Sequence, residues 1–179
     1  MKNIALVGFM SCGKSTIGQL IAKHFNINFA DTDKIITDLY KMSIIDIFNN
    51  FGQDFFIDEE FNAISNLINI NAIISVGGAA FIRQKTFDLI KNNFTSIYLK
   101  ISPLEIYNRL LVNNNYKSRP NIIKIFENKE KDLVISDISK MLQQREIWYN
   151  KADIVVEIPD NTGLQQVTEN IIILLNDLH

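Results

Sequence analysis

The chain has 179 residues, of which 47% are hydrophobic, so it suits one folded domain over residues 1–179 and not a disordered chain. Its formal net charge of −2 at pH 7 excludes a general nucleic-acid-binding surface. Its single cysteine excludes an internal disulfide and fits a reducing compartment, and no apolar stretch is typical of a membrane span or a signal peptide. We therefore expect a cytoplasmic protein with no nucleic-acid or membrane partner.

The first predicted strand leads into a phosphate-binding loop. Residues 3–7 form an apolar run, and the next stretch, 8–16, contains the pattern G-x-x-x-x-G-K-[ST] at its first eight positions, 8–15. Apolar residues at helical spacing follow as far as Phe25. Backbone N–H groups of such a loop and of the helix start converge on phosphate oxygens. The predicted contacts to a nucleoside triphosphate are Ser11, Cys12, Gly13, Lys14, Ser15 and Thr16.

Three side chains of this loop carry specific expectations. Lys14 is expected to reach the β- and γ-phosphates, and the Ser15 hydroxyl is expected to bind Mg²⁺, the predicted cofactor. Cys12 lies near a helix N-terminus, where a thiol can be reactive, but a small residue filling a tight turn is the favoured interpretation.

Two carboxylates follow the second predicted strand, which covers 27–31. Asp31 and Asp33 stand at the carboxyl end of this strand, the edge at which α/β sheets bind ligands. Asp31 could hold Mg²⁺ through water, and Asp33 could accept a hydroxyl proton. The alternative is a helix N-cap with a solvated neighbour. The upstream phosphate loop favours the chemical interpretation.

The rest of the chain alternates strands and helices. Ser43 caps a helix start before Gly52, and the acids at 58–60 suit the dipole of the next helix. Further strands are predicted at 72–76, 94–100 and 153–158, and helices at 35–40, 54–70, 83–91, 103–111, 138–149 and 164–178. This alternation predicts an α/β fold, with a parallel sheet covered by helices on both faces.

Two further segments could contact a ligand. The pair Gly77-Gly78 ends the third strand and permits close backbone approach, although a plain turn is equally compatible. Residues 112–121 are polar, have few apolar anchors and contain Arg119. They fit a lid over a triphosphate, or an exposed loop with a solvated arginine.

Two classes of protein use such a loop: small-molecule kinases and nucleotide switches. A GTP switch needs the base-reading pattern [NT]-K-x-D, and the nearest match, at 128–131, has lysine in place of the aspartate. The only D-x-x-G string, at 160–163, lies too late in the chain. The sequence therefore favours a kinase.

Over nearly its full length the chain resembles the shikimate kinase family. The residues that carry the resemblance are 8–16, 29–33, Ser43-Ile44, Ile47-Phe48, Gly52, Phe56, Gly77-Gly78, Arg119-Pro120, Arg145, Tyr149 and Ala152-Asp153. The resemblance implies a three-layer P-loop kinase fold, similar to that of nucleoside monophosphate kinases. It further implies five parallel strands in the order 2-3-1-4-5, a substrate-binding region near 32–62 and a mobile lid near 112–124.

The resemblance also implies a reaction: transfer of the γ-phosphoryl group of ATP to the 3-hydroxyl of shikimate, a step of aromatic amino acid biosynthesis. Asp33 corresponds to the proposed base that holds this hydroxyl, and Asp31 to the carboxylate near Mg²⁺. Lys14 and Arg119 complete the implied catalytic set, with Arg119 reaching the phosphates from the lid. The implied partners are ATP and shikimate, and we expect a monomer.

The substrate contacts are implied in the same way. Gly77 and Gly78 correspond to the substrate-binding turn, and Arg145 to an arginine that grips the shikimate carboxylate. The loop at 159–162 lies where the family packs adenine.

The chain also departs from the family pattern. A second carboxylate-binding arginine is replaced by Ile57, the third glycine of a triplet by Ala79, and a loop glycine by Ser11. Because Ile57 removes a cation, a sugar-acid kinase of the gluconate kinase type is the alternative within the enzyme class. Arg83 is one candidate to replace the missing charge.

Overall fold

The computed structural model of the protein describes residues 3–118, 120–127 and 129–177. Its centre is a five-stranded sheet in which every observed pairing is parallel and the strand order is β2-β3-β1-β4-β5. The strands are β1 (Ile4–Val7), β2 (Asn28–Asp31), β3 (Ala72–Ser75), β4 (Thr95–Lys100) and β5 (Ile154–Glu157). The predicted fold class and strand order are confirmed.

The middle of the sheet is covered on both faces. Successive side chains of a strand point to opposite faces, and all four residues of β1 and of β3 are buried. In register, Ala5 pairs with Ile74 of β3 and with Ser96 of β4. The apolar runs that predicted these strands are therefore explained by burial from two sides.

Eight α-helices connect and flank the strands within the described residues. They are α1 (Lys14–Phe25), α2 (Thr32–Tyr40), α3 (Ile44–Asn66), α4 (Gln84–Asn93), α5 (Pro103–Leu111), α6 (Pro120–Phe126), α7 (Lys131–Tyr149) and α8 (Leu164–Asp177). Two 3₁₀ segments, Ala80–Ile82 and Val112–Ser118, complete the list. None of the described helices is long and apolar enough to cross a membrane.

Several predicted helix boundaries were wrong. The predicted helices around Gly52 form one element, α3, with a kink where Gly52 adopts φ 85° and ψ 169°. Only glycine adopts this conformation readily, so the kink is built into the sequence. The predicted end at Ile70 was too late, because α3 ends at Asn66.

Helix α7 begins at Lys131, seven residues before the predicted start at Ile138. The first turns are helical because Val134 lies on the same buried face of α7 as Ile138 and Leu142. The last buried residues on this face are Arg145 and Tyr149.

The polar segment predicted as a lid is better anchored than its sequence indicates. The Tyr116 ring stacks on Phe126 with 4.5 Å between centroids, and Phe126 also stacks on Tyr107 of α5 at 5.8 Å. Ile122 is fully buried. Within residues 112–121, Tyr116 is thus an aromatic anchor, and its partner Phe126 and the buried Ile122 lie in α6 just beyond the polar stretch.

Candidate active site

The phosphate loop lies between β1 and α1, at the carboxyl edge of the sheet. Gly13 is the residue before α1 and has no side chain to cap it, so the first N–H groups of α1 are left for a ligand. The Lys14 ammonium donates to the carbonyl oxygens of Gly8 at 3.0 Å and Phe9 at 2.9 Å. These bonds hold the lysine against the loop, beside a cavity of about 610 Å³.

Of the six predicted loop contacts, Ser11, Gly13, Lys14, Ser15 and Thr16 line this cavity. Cys12 does not line it, and its side chain is fully buried. The Cys12 thiol lies 3.7 Å from the Lys14 ammonium, underneath the loop. The interpretation of Cys12 as a small residue that fills a tight turn agrees with this placement.

The two predicted magnesium ligands are in direct contact. The Ser15 hydroxyl donates to Asp31 Oδ2 at 2.5 Å, and the Ser75 hydroxyl lies 3.3 Å from that of Ser15. Asp31 also caps α2, because its Oδ1 atom accepts from the backbone N–H of Lys34 at 3.2 Å. The N-cap interpretation of Asp31 is therefore confirmed, and its contact with Ser15 leaves the magnesium role as a prediction.

Ser75 was not predicted as a site residue. The signal was available, since Ser75 ends β3 and pairs in register with Asp31. Together with Ser15 these residues offer the oxygen atoms that Mg²⁺ prefers. No described group of three or more His, Cys, Asp or Glu side chains could hold a metal alone. This donor set fits an ion that takes its remaining ligands from phosphates and water.

A second, smaller cavity of about 80 Å³ adjoins the first. Its lining comprises Met10, Asp33, Ile44, Phe48, Gln53, Phe56, Ile57, Glu60, Gly77, Gly78, Ala79 and Arg145. Met10, Asp33, Gly77 and Gly78 line both cavities. We call the larger one the nucleotide cavity and the smaller one the acceptor cavity, after the ligands that we propose for them. Asp33 thus lies at their junction.

Arg145 supplies the positive charge of the acceptor cavity. It is only 9% exposed, its Nη1 donates to the Gly78 carbonyl at 3.3 Å, and its guanidinium lies 4.9 Å from the centre of the Phe9 ring. Of the described side chains that line this cavity, Arg145 is the sole cation. Arg83 is exposed and is not part of that lining, so its candidacy as the replacement cation is not supported.

The sequence explained Glu60 only as an acid that suits the dipole of its helix, and the structure shows a buried acid at the site. It is 2% exposed, and its Oε1 atom accepts from the Thr32 hydroxyl at 3.0 Å and from the Gly77 N–H at 2.7 Å. Burial, reinforced by the negative charge of Asp33, raises the pKa of Glu60 to about 8. Its helical spacing from the apolar Phe56 and Ile64 was the signal that it faces inward.

A family model described as shikimate kinase matches residues 10–176. The chain belongs to the shikimate kinase family. This match confirms the family predicted from the motifs and favours a kinase over a nucleotide switch.

Similar proteins agree with this assignment. Shikimate kinase of Caldanaerobacter subterraneus subsp. tengcongensis is 31% identical over 173 residues, which cover 96% of this chain and 95% of that protein. Shikimate kinase of Staphylococcus aureus is 35% identical over 150 residues, covering 84% and 83% respectively.

Solved shikimate kinases share the fold. The enzyme of Acinetobacter baumannii, in a complex with shikimate, superposes with a TM-score of 0.81 at 26% identity, covering all of this chain and 96% of that one. The enzyme of Bacteroides thetaiotaomicron has a TM-score of 0.82 at 23% identity, covering 98% of each chain.

Arg109 lines the nucleotide cavity of this shikimate kinase family member and was not predicted. Its Nε donates to Glu105 Oε1 at 2.7 Å, and its Nη1 donates to the Cys12 carbonyl at 3.1 Å. The spacing of Glu105 and Arg109 within one helix predicts their pairing, but only the fold brings α5 beside the phosphate loop.

Two other predicted regions have different outcomes. Asn161 and Thr162, from the segment expected near adenine, line the nucleotide cavity. Arg119, predicted to reach the phosphates, lies outside the described residues.

Proposed function

We propose that this chain transfers the γ-phosphoryl group of ATP to the 3-hydroxyl of shikimate. ATP occupies the nucleotide cavity and shikimate the acceptor cavity. The observation that carries the proposal is the position of Asp33, which lines both cavities at their junction. A carboxylate at that point can hold the attacking hydroxyl and accept its proton.

The chemistry on the nucleotide side is electrostatic. Phosphoryl transfer requires positioned charge more than covalent participation of the protein. Lys14 exchanges its bonds to the Gly8 and Phe9 carbonyls for phosphate oxygens, and Arg119 adds positive charge from the lid. Ser15 and Asp31 would hold Mg²⁺, which would supply positive charge to neutralise the phosphates. Arg109, held by Glu105, supports the loop from the side.

On the acceptor side, the protein binds and orients shikimate. Arg145 pairs with its carboxylate, and the backbone at Gly77 and Gly78 forms the adjacent wall. Closure of the segment at 112–124 excludes water and so suppresses ATP hydrolysis. We further propose a monomer in the cytoplasm.

A coupled ADP-release assay tests the proposal, with shikimate, with gluconate and with no acceptor. We expect ADP release when shikimate is the acceptor, and none with gluconate or without an acceptor. Lys14→Met should abolish the shikimate-dependent ADP release. Lys23→Met, which changes an exposed lysine of the same helix, is the matched control and keeps wild-type turnover. Turnover that ignores every acceptor would contradict the proposal, and preference for gluconate would assign a sugar-acid kinase instead.

A further inference from the structure

One backbone carbonyl of the acceptor cavity accepts two hydrogen bonds from α7. The Tyr149 hydroxyl donates to the Gly78 oxygen, and Arg145 Nη1 donates to the same oxygen at 3.3 Å. Tyr149 is fully buried and ends the helix one turn after Arg145. Tyr149 belongs to the motif that carries the family resemblance, yet it does not line either cavity.

These two bonds fix the turn after β3. A carbonyl oxygen has two lone pairs, and here both have a donor on α7. The Gly78 peptide therefore has one orientation relative to the helix, although glycine itself imposes little restraint. The same oxygen gives the Arg145 guanidinium a fixed partner, while the Phe9 ring lies 4.9 Å from that guanidinium.

We propose that Tyr149 is a positioning residue for the acceptor. Its hydroxyl holds the Gly78 carbonyl, and that carbonyl holds the Arg145 guanidinium where it meets the substrate carboxylate. The inference rests on the proposed function, because it takes the acceptor cavity as the shikimate site. Without the hydroxyl, the flexible Arg145 side chain is the one remaining described donor from α7 to the Gly78 oxygen, so the peptide and the guanidinium are held less firmly.

The tyrosine is suited to this task because it stays a neutral donor. Burial raises the pKa of the Tyr149 hydroxyl well above its ordinary value, although the nearby Arg145 guanidinium lowers it in part. A hydroxyl that does not ionise keeps donating to a carbonyl over the whole working pH range.

The structure offers a matched control in Tyr98. Its ring packs on that of Tyr149 with 5.0 Å between centroids, and it is equally buried. Its hydroxyl donates to Glu146 Oε1 at 3.1 Å rather than to the turn. Tyr98→Phe thus removes a buried hydroxyl from the same aromatic pair without touching Gly78.

The experiment compares Tyr149→Phe with Tyr98→Phe in the full chain. For each variant we would measure the free energy of unfolding in urea and the steady-state constants for shikimate and ATP. We expect Tyr149→Phe to raise the shikimate KM about tenfold, the effect of one lost hydrogen bond near a charged group. The ATP KM should stay unchanged, and Tyr98→Phe should leave both KM values unchanged at a similar loss of stability.

The outcomes are distinct. A merely structural tyrosine would lower stability in both variants and leave the shikimate KM of Tyr149→Phe unchanged, which would overturn the inference. Equal rises of that KM in both variants would overturn it as well. If the wild-type chain shows no shikimate-dependent ADP release, the proposed function fails and the inference fails with it; if the wild type is active, only the inference is at stake.

Discussion

The Glu60 carboxylate and the Gly77 backbone are in direct contact: Glu60 Oε1 accepts the Gly77 N–H at 2.7 Å. A Cβ atom placed on Gly77 would lie 2.2 Å from that oxygen and 2.9 Å from Asp33 Oδ1. The glycine is therefore required by the close approach of two carboxylates. Gly77 thus brings together the buried Glu60 of α3 and Asp33, which lines both cavities.

Gly77→Ala should destabilise the protein by about 1–3 kcal/mol, because a methyl group is forced against a carboxylate that two hydrogen bonds hold in place. It should also raise the shikimate KM, since Asp33 must move. The adjacent Gly78→Ala is the matched control: its Cβ would meet the Met10 nitrogen at 3.4 Å, which requires only a small adjustment. Urea unfolding and steady-state kinetics measure both effects. Equal destabilisation by the two substitutions would contradict this account.

Glu60 should make stability depend on pH. Its pKa is 4.5 in the unfolded chain and about 8 in the folded protein, so the folded state binds an extra proton between these values. The contribution of Glu60 to the free energy of unfolding is complete below pH 4.5. It decreases by roughly 1.4 kcal/mol per pH unit as the pH rises toward the folded-state pKa. Glu60→Gln should remove this decrease, as measured by urea unfolding from about pH 5 to pH 8.

The control for this experiment is Glu59→Gln, one residue earlier on the same helix. Glu59 accepts from the Tyr40 hydroxyl at 2.8 Å and is not fully buried. This variant should keep the decrease of stability seen in the wild type. A Glu60→Gln protein whose stability still decreases as steeply would show that another group is responsible.

Asp33→Asn should lower kcat by about 100-fold or more, as loss of a general base can. Binding of ATP should change little, because the role proposed for Asp33, where the two cavities meet, is to hold the acceptor hydroxyl rather than the phosphates. Single-turnover kinetics and titration with a non-hydrolysable ATP analogue would separate the two effects. A comparable loss of ATP affinity would place Asp33 in the nucleotide or metal site instead.

Ile57→Arg should lower the shikimate KM while leaving the ATP KM nearly unchanged. Ile57 lines the acceptor cavity with Arg145, and a hydrogen bond to a charged group contributes roughly 1.5–3 kcal/mol, or about tenfold or more in affinity. Ile57→Leu keeps the apolar side chain and is the control. An unchanged shikimate KM in Ile57→Arg would show that position 57 does not face the carboxylate.

The segment at 112–124 should gain protection from hydrogen exchange when an ATP analogue and shikimate are both present. We expect the polar part, 112–118, to respond more than Ile122, which is already fully buried. The amides of β1, at the centre of the sheet, serve as the internal reference. Equal protection of 112–118 with and without ligands would contradict the lid assignment.

Much of the fold follows from local pattern. The apolar runs that became β1 and β3 follow from burial of these strands on both faces, and this signal does not depend on distant residues. The phosphate loop was equally predictable, since its glycines, lysine and serine act through spacing along the chain. Helix ends were less predictable. Helix α7 begins before the predicted start because its first turns pack against the core.

What the sequence alone determined is therefore the sheet, its order through the family resemblance, the phosphate loop and the carboxylates after β2. Tertiary structure decided which polar groups meet. Ser15 contacts Ser75, 60 positions away, and Tyr149 contacts Gly78, 71 positions away. Glu60 becomes a buried acid only because α3 turns it toward Gly77 and Asp33. Local spacing signals which face of a helix is buried, but the raised pKa of Glu60 and these shared hydrogen bonds arise from long-range contacts, which no local spacing encodes.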